Sequence, residues 1–182
     1  RDEFEIPAEA AAVHGVSTEH AKAHGMDPTQ GLTEIVATLQ DFMHHRVPIV
    51  AYNGVYDFTV LANELARRDM DEAPVVGVID PFVLDKYADT YRKGKRTLTA
   101  ACEHYEVVLE NAHTSQADSI AAVQVCKAIA TKFPDKFNMP LEQLFNQQIR
   151  WKSDQAASFE QYLRRKNPEA VVSRDWPIEK LL

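Results

Sequence analysis

VPIVAYNGVYDFTVL, residues 47–61, decides the fold class. It opens with a continuous apolar run of strand length, VPIVAY (47–52), the pattern of a strand buried on both faces. Asn53 then stands where a helix cap belongs, and apolar residues recur at helical spacing to about Asp69. A second run of the same kind, PVVGVI (74–79), follows, and Asp80-Pro81 reads as a cap plus first helical residue. Strand, helix and strand, with both strands wholly apolar, make a βαβ unit. The expectation is an α/β protein whose parallel pairing is covered by helices on both faces.

The flanks are helical. Ser17 or Thr18 caps a short helix that stops near Gly25, and Leu32, Ile35, Val36, Leu39 and Met43 form a clear helical stripe. Thr97 opens another helix, carrying Leu98, Ala101, Cys102 and Tyr105 on one face. A helix spans about Ser115 to Lys132, and Pro140 opens a long amphipathic helix to about Lys166. Residues 1–138 read as one domain, and 139–182 as a C-terminal helix and tail packed on it through Trp151, Phe159 and Tyr162. A sheet in such a fold ordinarily has about five or six strands. Only two are convincing here, so the reading expects N-terminal strands of a mixed central sheet to be missing from the sequence, upstream of Arg1.

Composition bounds the function. The chain has 182 residues, 45% of them hydrophobic and 26% charged, which suits one soluble globule with a real core. A net charge of −7 argues against a broad basic surface wrapping a duplex, but not against a local cleft that accepts a strand end. Cys102 and Cys126 have neither a disulfide framework nor metal-ligand spacing, and read as core residues in a reducing compartment. No apolar run approaches a membrane span and no signal peptide opens the chain, so a cytoplasmic protein with no membrane partner is expected.

Two acids carry the chemical question. Asp57 has Val60, Leu61 and Leu65 at i+3, i+4 and i+8, and Asp118 has Ala122, Val125 and Ile129 at i+4, i+7 and i+11. Each carboxylate shares an apolar stripe, which is costly unless something compensates the charge. Hard divalent cations compensate it well. The plainer reading is that each acid favours the dipole of its own helix start. Two such acids on separate helices, one just past a buried parallel strand, weigh toward a site, because open α/β sheets build their sites at strand ends. His113, in HTSQADS (113–119), lies in the loop before the Asp118 helix and can take a proton at neutral pH.

These motifs together resemble the DEDDh family of 3′→5′ exonucleases, of the ribonuclease H-like superfamily. HTSQADS is similar to the family's third motif, with His113 and Asp118 in place. AYNGVYDF resembles its second, Asn-Ala-x-Phe-Asp, with Asn53 and Asp57 matching. IPAEAAAVHGVSTE (6–19) is similar to the segment that carries His-Gly-Ile-Thr, and RTLTAACEHYEVVLENAH to the helix and loop before the third motif. The similarity runs over residues 6 to about 133, nearest to the bacterial group related to the proofreading subunit of the replicative polymerase. Gly54, Tyr56 and Tyr52 depart tolerably. The first motif, Asp-x-Glu on the first strand, is absent from the sequence.

The resemblance implies a ribonuclease H-like α/β fold and two-metal hydrolysis, by Mg²⁺ or Mn²⁺, of phosphodiesters at single-stranded DNA or RNA 3′ ends, releasing nucleoside monophosphates. Asp118 and Asp57 would ligate metal, and His113 would be the general base. His14, Gly15 and Val16, with Asn53, would line the nucleotide pocket. The missing Asp-x-Glu would supply the remaining ligands, and activity depends on it. A polymerase or repair complex is the implied partner. The alternative is an inactive nucleic-acid-binding or polymerase-associated module of the same fold. RKGKR (92–96) is either a phosphate contact or a solvated loop, and Asp80 and Asp85 read as a helix cap and a surface acid.

Overall fold

The computed structural model describes residues 5–109 and 114–180. Three helices come first: α1 (Ala8–His14), α2 (Thr18–His24) and α3 (Pro28–His44). Then come β1 (Ile49–Val50), α4 (Val55–Ala66), β2 (Val78–Ile79) and α5 (Pro81–Ala88). The chain ends in α6 (Leu98–His104), α7 (Ser115–Lys132), α8 (Pro134–Phe137) and α9 (Leu141–Arg164). It is an α/β protein, mostly helical. No helix among the described residues is long and apolar enough to cross a membrane.

The βαβ unit is present: β1 and β2 pair in parallel, with Ile49 opposite Val78 and Val50 opposite Ile79. Both strands are far shorter than the apolar runs that predict them. Pro48 carries no N–H for a ladder, Asn53 turns left-handed at φ 57°, and Gly77 turns left-handed at φ 70° just ahead of β2. The runs are only partly buried, not covered on both faces as expected: Val47 and Val76 are 46% and 49% exposed, and only Ile49–Val50 and Val78–Ile79 pair.

The two edges of this sheet differ. In a parallel ladder alternate residues address opposite edges. On β2 the outward groups are the Val78 carbonyl and the Asp80 amide, and the Gln148 side chain of α9 meets both: its Nε2 donates to the Val78 carbonyl (2.9 Å) and its Oε1 accepts from the Asp80 amide (2.7 Å). One buried amide thus stands in for a neighbouring strand. On β1, Ile49 and Ala51 donate to β2, so the Val50 amide and carbonyl face away from it.

The core lies where α5, α7 and α9 close over the strands. Val78, Leu84, Val125 and Ile129 are fully enclosed, each worth about 1.5–3 kcal/mol relative to exposure. Tyr87 stacks on Trp151 at 3.9 Å, with Phe137 edge-on to both. The tail after α9 is also tied down, despite its lack of period. Glu160 accepts from the Val172 amide, Trp176 packs on Phe145, and the Glu179 amide donates to Thr59 on α4. By contrast α1, α2 and α3 contain no buried residue.

Candidate functional site

The exits of the two strands meet at one carboxylate. Asn53 adopts the left-handed conformation that its short amide side chain tolerates, so it does not cap α4 as its position suggested. The first residue of that helix is preceded by Gly54, whose side-chain-free Cα fits beside Ala51; an added Cβ would lie 2.8 Å from the Ala51 Cβ. The capping comes from across the sheet. Asp80 accepts from the amides of Asn53 (2.8 Å) and Gly54 (3.1 Å), from Phe82 at the start of its own helix (3.0 Å), and from the Trp176 indole (3.3 Å). It is a helix cap as expected, and also the fastening between both strand exits and the tail. Burial pushes its carboxyl up to about 6, against the four donors that hold it down. The sequence hint was the register: once β1 and β2 pair in parallel, Asp80 falls beside Ala51, two residues before Asn53.

Asp57 sits in the first turn of α4. It is not on the core-facing stripe: Phe58 and Leu65 face the core, while Asp57 and Val60 lie on the exposed side. The stripe of α4 is rotated by one residue from the expected one, because Phe58, the larger apolar group, takes the inward position. Neighbouring structure still desolvates the Asp57 carboxyl enough to raise it above the usual carboxylate range, while its own backbone amide opposes the rise. Asp118 is in the first turn of α7, half-buried, in line with Ala122, Val125 and Ile129 as expected. Its charge reaches inward to α6, where burial and then Asp118 raise the Cys102 thiol.

Among the described residues no hydrogen bond or ion pair links Asp57 with Asp118. What they share is β1, which leads into α4 and against which α7 packs. His113 lies outside the described residues. His14 and Gly15 are exposed at the end of α1, where Gly15 closes the helix at φ 75°; the half-buried Val16 donates its amide to His14 Nδ1 (3.2 Å). No described contact carries His14, Gly15 or Val16 to Asn53 or Asp57.

Asp85 is no surface acid. It is fully buried on α5, bridged by Arg92 (2.7 Å) and Arg96 (2.7 Å), with the Tyr105 hydroxyl donating to it (2.7 Å). Burial alone would raise this carboxyl; Arg92, Tyr105 and Arg96 outweigh it and hold it below the usual range. The RKGKR run is a loop whose ends turn inward: its arginines fold onto Asp85, while Lys93, Gly94 and Lys95 stay exposed. An inward acid at the end of a helix turn and two arginines a few residues on were the available signal.

A cleft of about 740 Å³ opens at the opposite end of the strands, lined by Val47, Val76, Gly77, Leu141 and Phe145. It is mostly apolar, with Arg46, Glu142 and Asn146 also in its lining, and it faces the strand entries, away from the Asn53 turn, where an open α/β sheet does not build chemistry. At the exits, Asp57 and Asp118 bring carboxylate oxygens to two helix starts, and among the described residues no group of three or more His, Cys, Asp or Glu side chains is placed to hold a metal ion. No family model and no curated protein matches this chain.

Proposed function

We propose that the protein is a metal-dependent 3′→5′ exonuclease of ribonuclease H-like fold, acting on single-stranded DNA or RNA ends. One observation carries the reading: the Asp57 helix leaves β1 at the Asn53 turn, and the Asp118 helix packs against that same strand. Both acids thus begin helices built on one parallel strand, the placement from which a strand-end site draws its ligands. The Val50 edge of β1 offers the place where a further strand, bearing the Asp-x-Glu pair, would complete the sheet.

Asp118 and Asp57 would hold Mg²⁺ or Mn²⁺. Bound there, the ions would supply charge stabilisation to the attacking and leaving oxygens and lower the pKa of bound water. The chain's own residues do the rest. Asp80 fixes the Asn53–Gly54 turn, so Asp57 leaves β1 at a set angle. His113 would take the proton of the attacking water.

The test is hydrolysis of 3′-labelled single-stranded DNA and RNA by the full-length protein with Mn²⁺. Asp118→Asn is expected to abolish turnover and the rise in melting temperature that Mn²⁺ gives the parent. His113→Ala is expected to slow turnover by about 10²–10⁴. If Mn²⁺ stabilises parent and Asp118→Asn equally and no monophosphate is released, the reading fails.

A further inference from the structure

A groove of about 440 Å³ runs between α5 and the C-terminal half of α9, lined by Lys86, Tyr87, Arg96, Trp151, Phe159 and Tyr162, with Asp154 at its rim. Its aromatic content is misplaced for packing. Phe159 and Tyr162 were expected to bury against the core with Trp151, but they are 50% and 56% exposed. They lie i, i+3 on one face of α9 with rings nearly parallel, 13° apart, and centroids at 6.4 Å. The Arg165 guanidinium sits over the Tyr162 ring at 6.0 Å. The result is a pair of near-parallel, half-exposed rings, with the Arg165 guanidinium over one face of Tyr162.

Although the chain carries −7 overall, Lys86 and Arg96 line the groove against one acid, Asp154. Burial first, then Lys152 and Arg96, hold the Lys86 ammonium below its ordinary range, while Asp80 and Asp85 only partly offset them. Asp85 faces two guanidiniums with one charge, which leaves that cluster cationic. The groove is joined to the Asn53 turn by a chain of side-chain contacts. Lys86 lies over the Phe82 ring (4.9 Å), and Phe82 packs on Tyr52 (5.9 Å), the neighbour of Asn53.

We propose that this groove binds single-stranded nucleic acid, with bases stacked on Phe159 and Tyr162 and phosphates beside Lys86. Stacking platforms beside a cationic track are how proteins hold single strands without reading sequence. The path along Phe82 and Tyr52 leads the strand toward the Asn53 turn. That last step rests on the nuclease reading; the binding itself does not.

The experiment is fluorescence anisotropy of a labelled oligo-dT with the full chain in excess EDTA, so that affinity is read without turnover. Phe159→Ala/Tyr162→Ala, at exposed positions where folding is spared, is expected to weaken binding by about tenfold or more. Lys86→Gln is expected to lower the slope of log affinity against log salt by about 0.7. Double-variant affinity within about twofold of the parent overturns the proposal, since stacked bases contribute more than that. So does displacement by poly-glutamate as effective, per charge, as by unlabelled oligo-dT, because an acidic peptide would then fit the groove equally well. Binding in EDTA, with no monophosphate released by the full-length protein once Mn²⁺ is supplied, would sink the nuclease reading and leave this one standing.

Discussion

Helices α3 and α7 are nearly equal in length, 17 and 18 residues, yet they meet opposite fates. The apolar stripe of α3 is the cleaner of the two in sequence, from Leu32 through Met43, and it buries no residue; Ile35 and Phe42 are exposed. Helix α7 is built of smaller, more mixed residues, and it buries Ala121, Ala122, Val125 and Ile129. The difference lies in what the fold places opposite each. Helix α7 meets α5, α6, α8 and β1, whereas the main partner of α3 is α4. Amphipathicity announces a face that wants cover; it does not supply the cover.

The α7 side also holds the buried charges, and breaking them should give the largest effect. Asp85→Asn leaves Arg92 and Arg96 enclosed without their carboxylate, side chains only 7% and 14% exposed. The expected loss is about 3–5 kcal/mol, read from urea denaturation. A loss under about 1 kcal/mol, the scale of surface pairs, would mean the arginines simply turn outward.

Asp80 should give the next effect, and its sign depends on pH. Its folded carboxyl lies near 6 against an ordinary 3.8, so the protonated form is the one folding favours. The stabilisation is full below pH 3.8 and is lost as pH rises through about 6, by about 3 kcal/mol. Asp80→Asn does not titrate. Its deficit relative to the parent should therefore be greatest near pH 4 and shrink by about 3 kcal/mol by pH 7. A deficit that stays constant across that range would show that the Asn53, Gly54, Phe82 and Trp176 donors hold the carboxyl at its ordinary value.

Local signals in the sequence proved legible where a single residue determines them. Ser17, Asp80 and Thr97 each accept from an amide at the start of their helix, and α7 spans Ser115 to Lys132 as its pattern predicts. The βαβ order was legible because two apolar runs of strand length admit little else. What stayed hidden depends on partners distant in sequence. Asp85 looks like a surface acid until Arg92, Arg96 and Tyr105 fold over it, and Gln148 looks like a polar helix residue until it seals β2. At the candidate site, the Asp118 stripe was readable from spacing, but the Asp57 stripe was misread by one position. Equal weight given to Val60 and Phe58 hides which of them turns inward, and only the larger group's packing decides it.

The smallest effect tests α3 itself. Ile35→Ala removes a side chain that is 49% exposed, so its expected cost is within about 0.5 kcal/mol. The same truncation at Ile129, with no exposed surface, belongs to the class that costs about 2–5 kcal/mol. Chemistry is identical at the two positions, so the gap between them measures cover alone. If Ile35→Ala in the full-length protein instead costs more than about 2 kcal/mol, something packs on α3 that the described residues do not provide. The α3 stripe would then be a second covered face of the α/β unit, and the contrast with α7 would be one of which partner arrives rather than of whether one does.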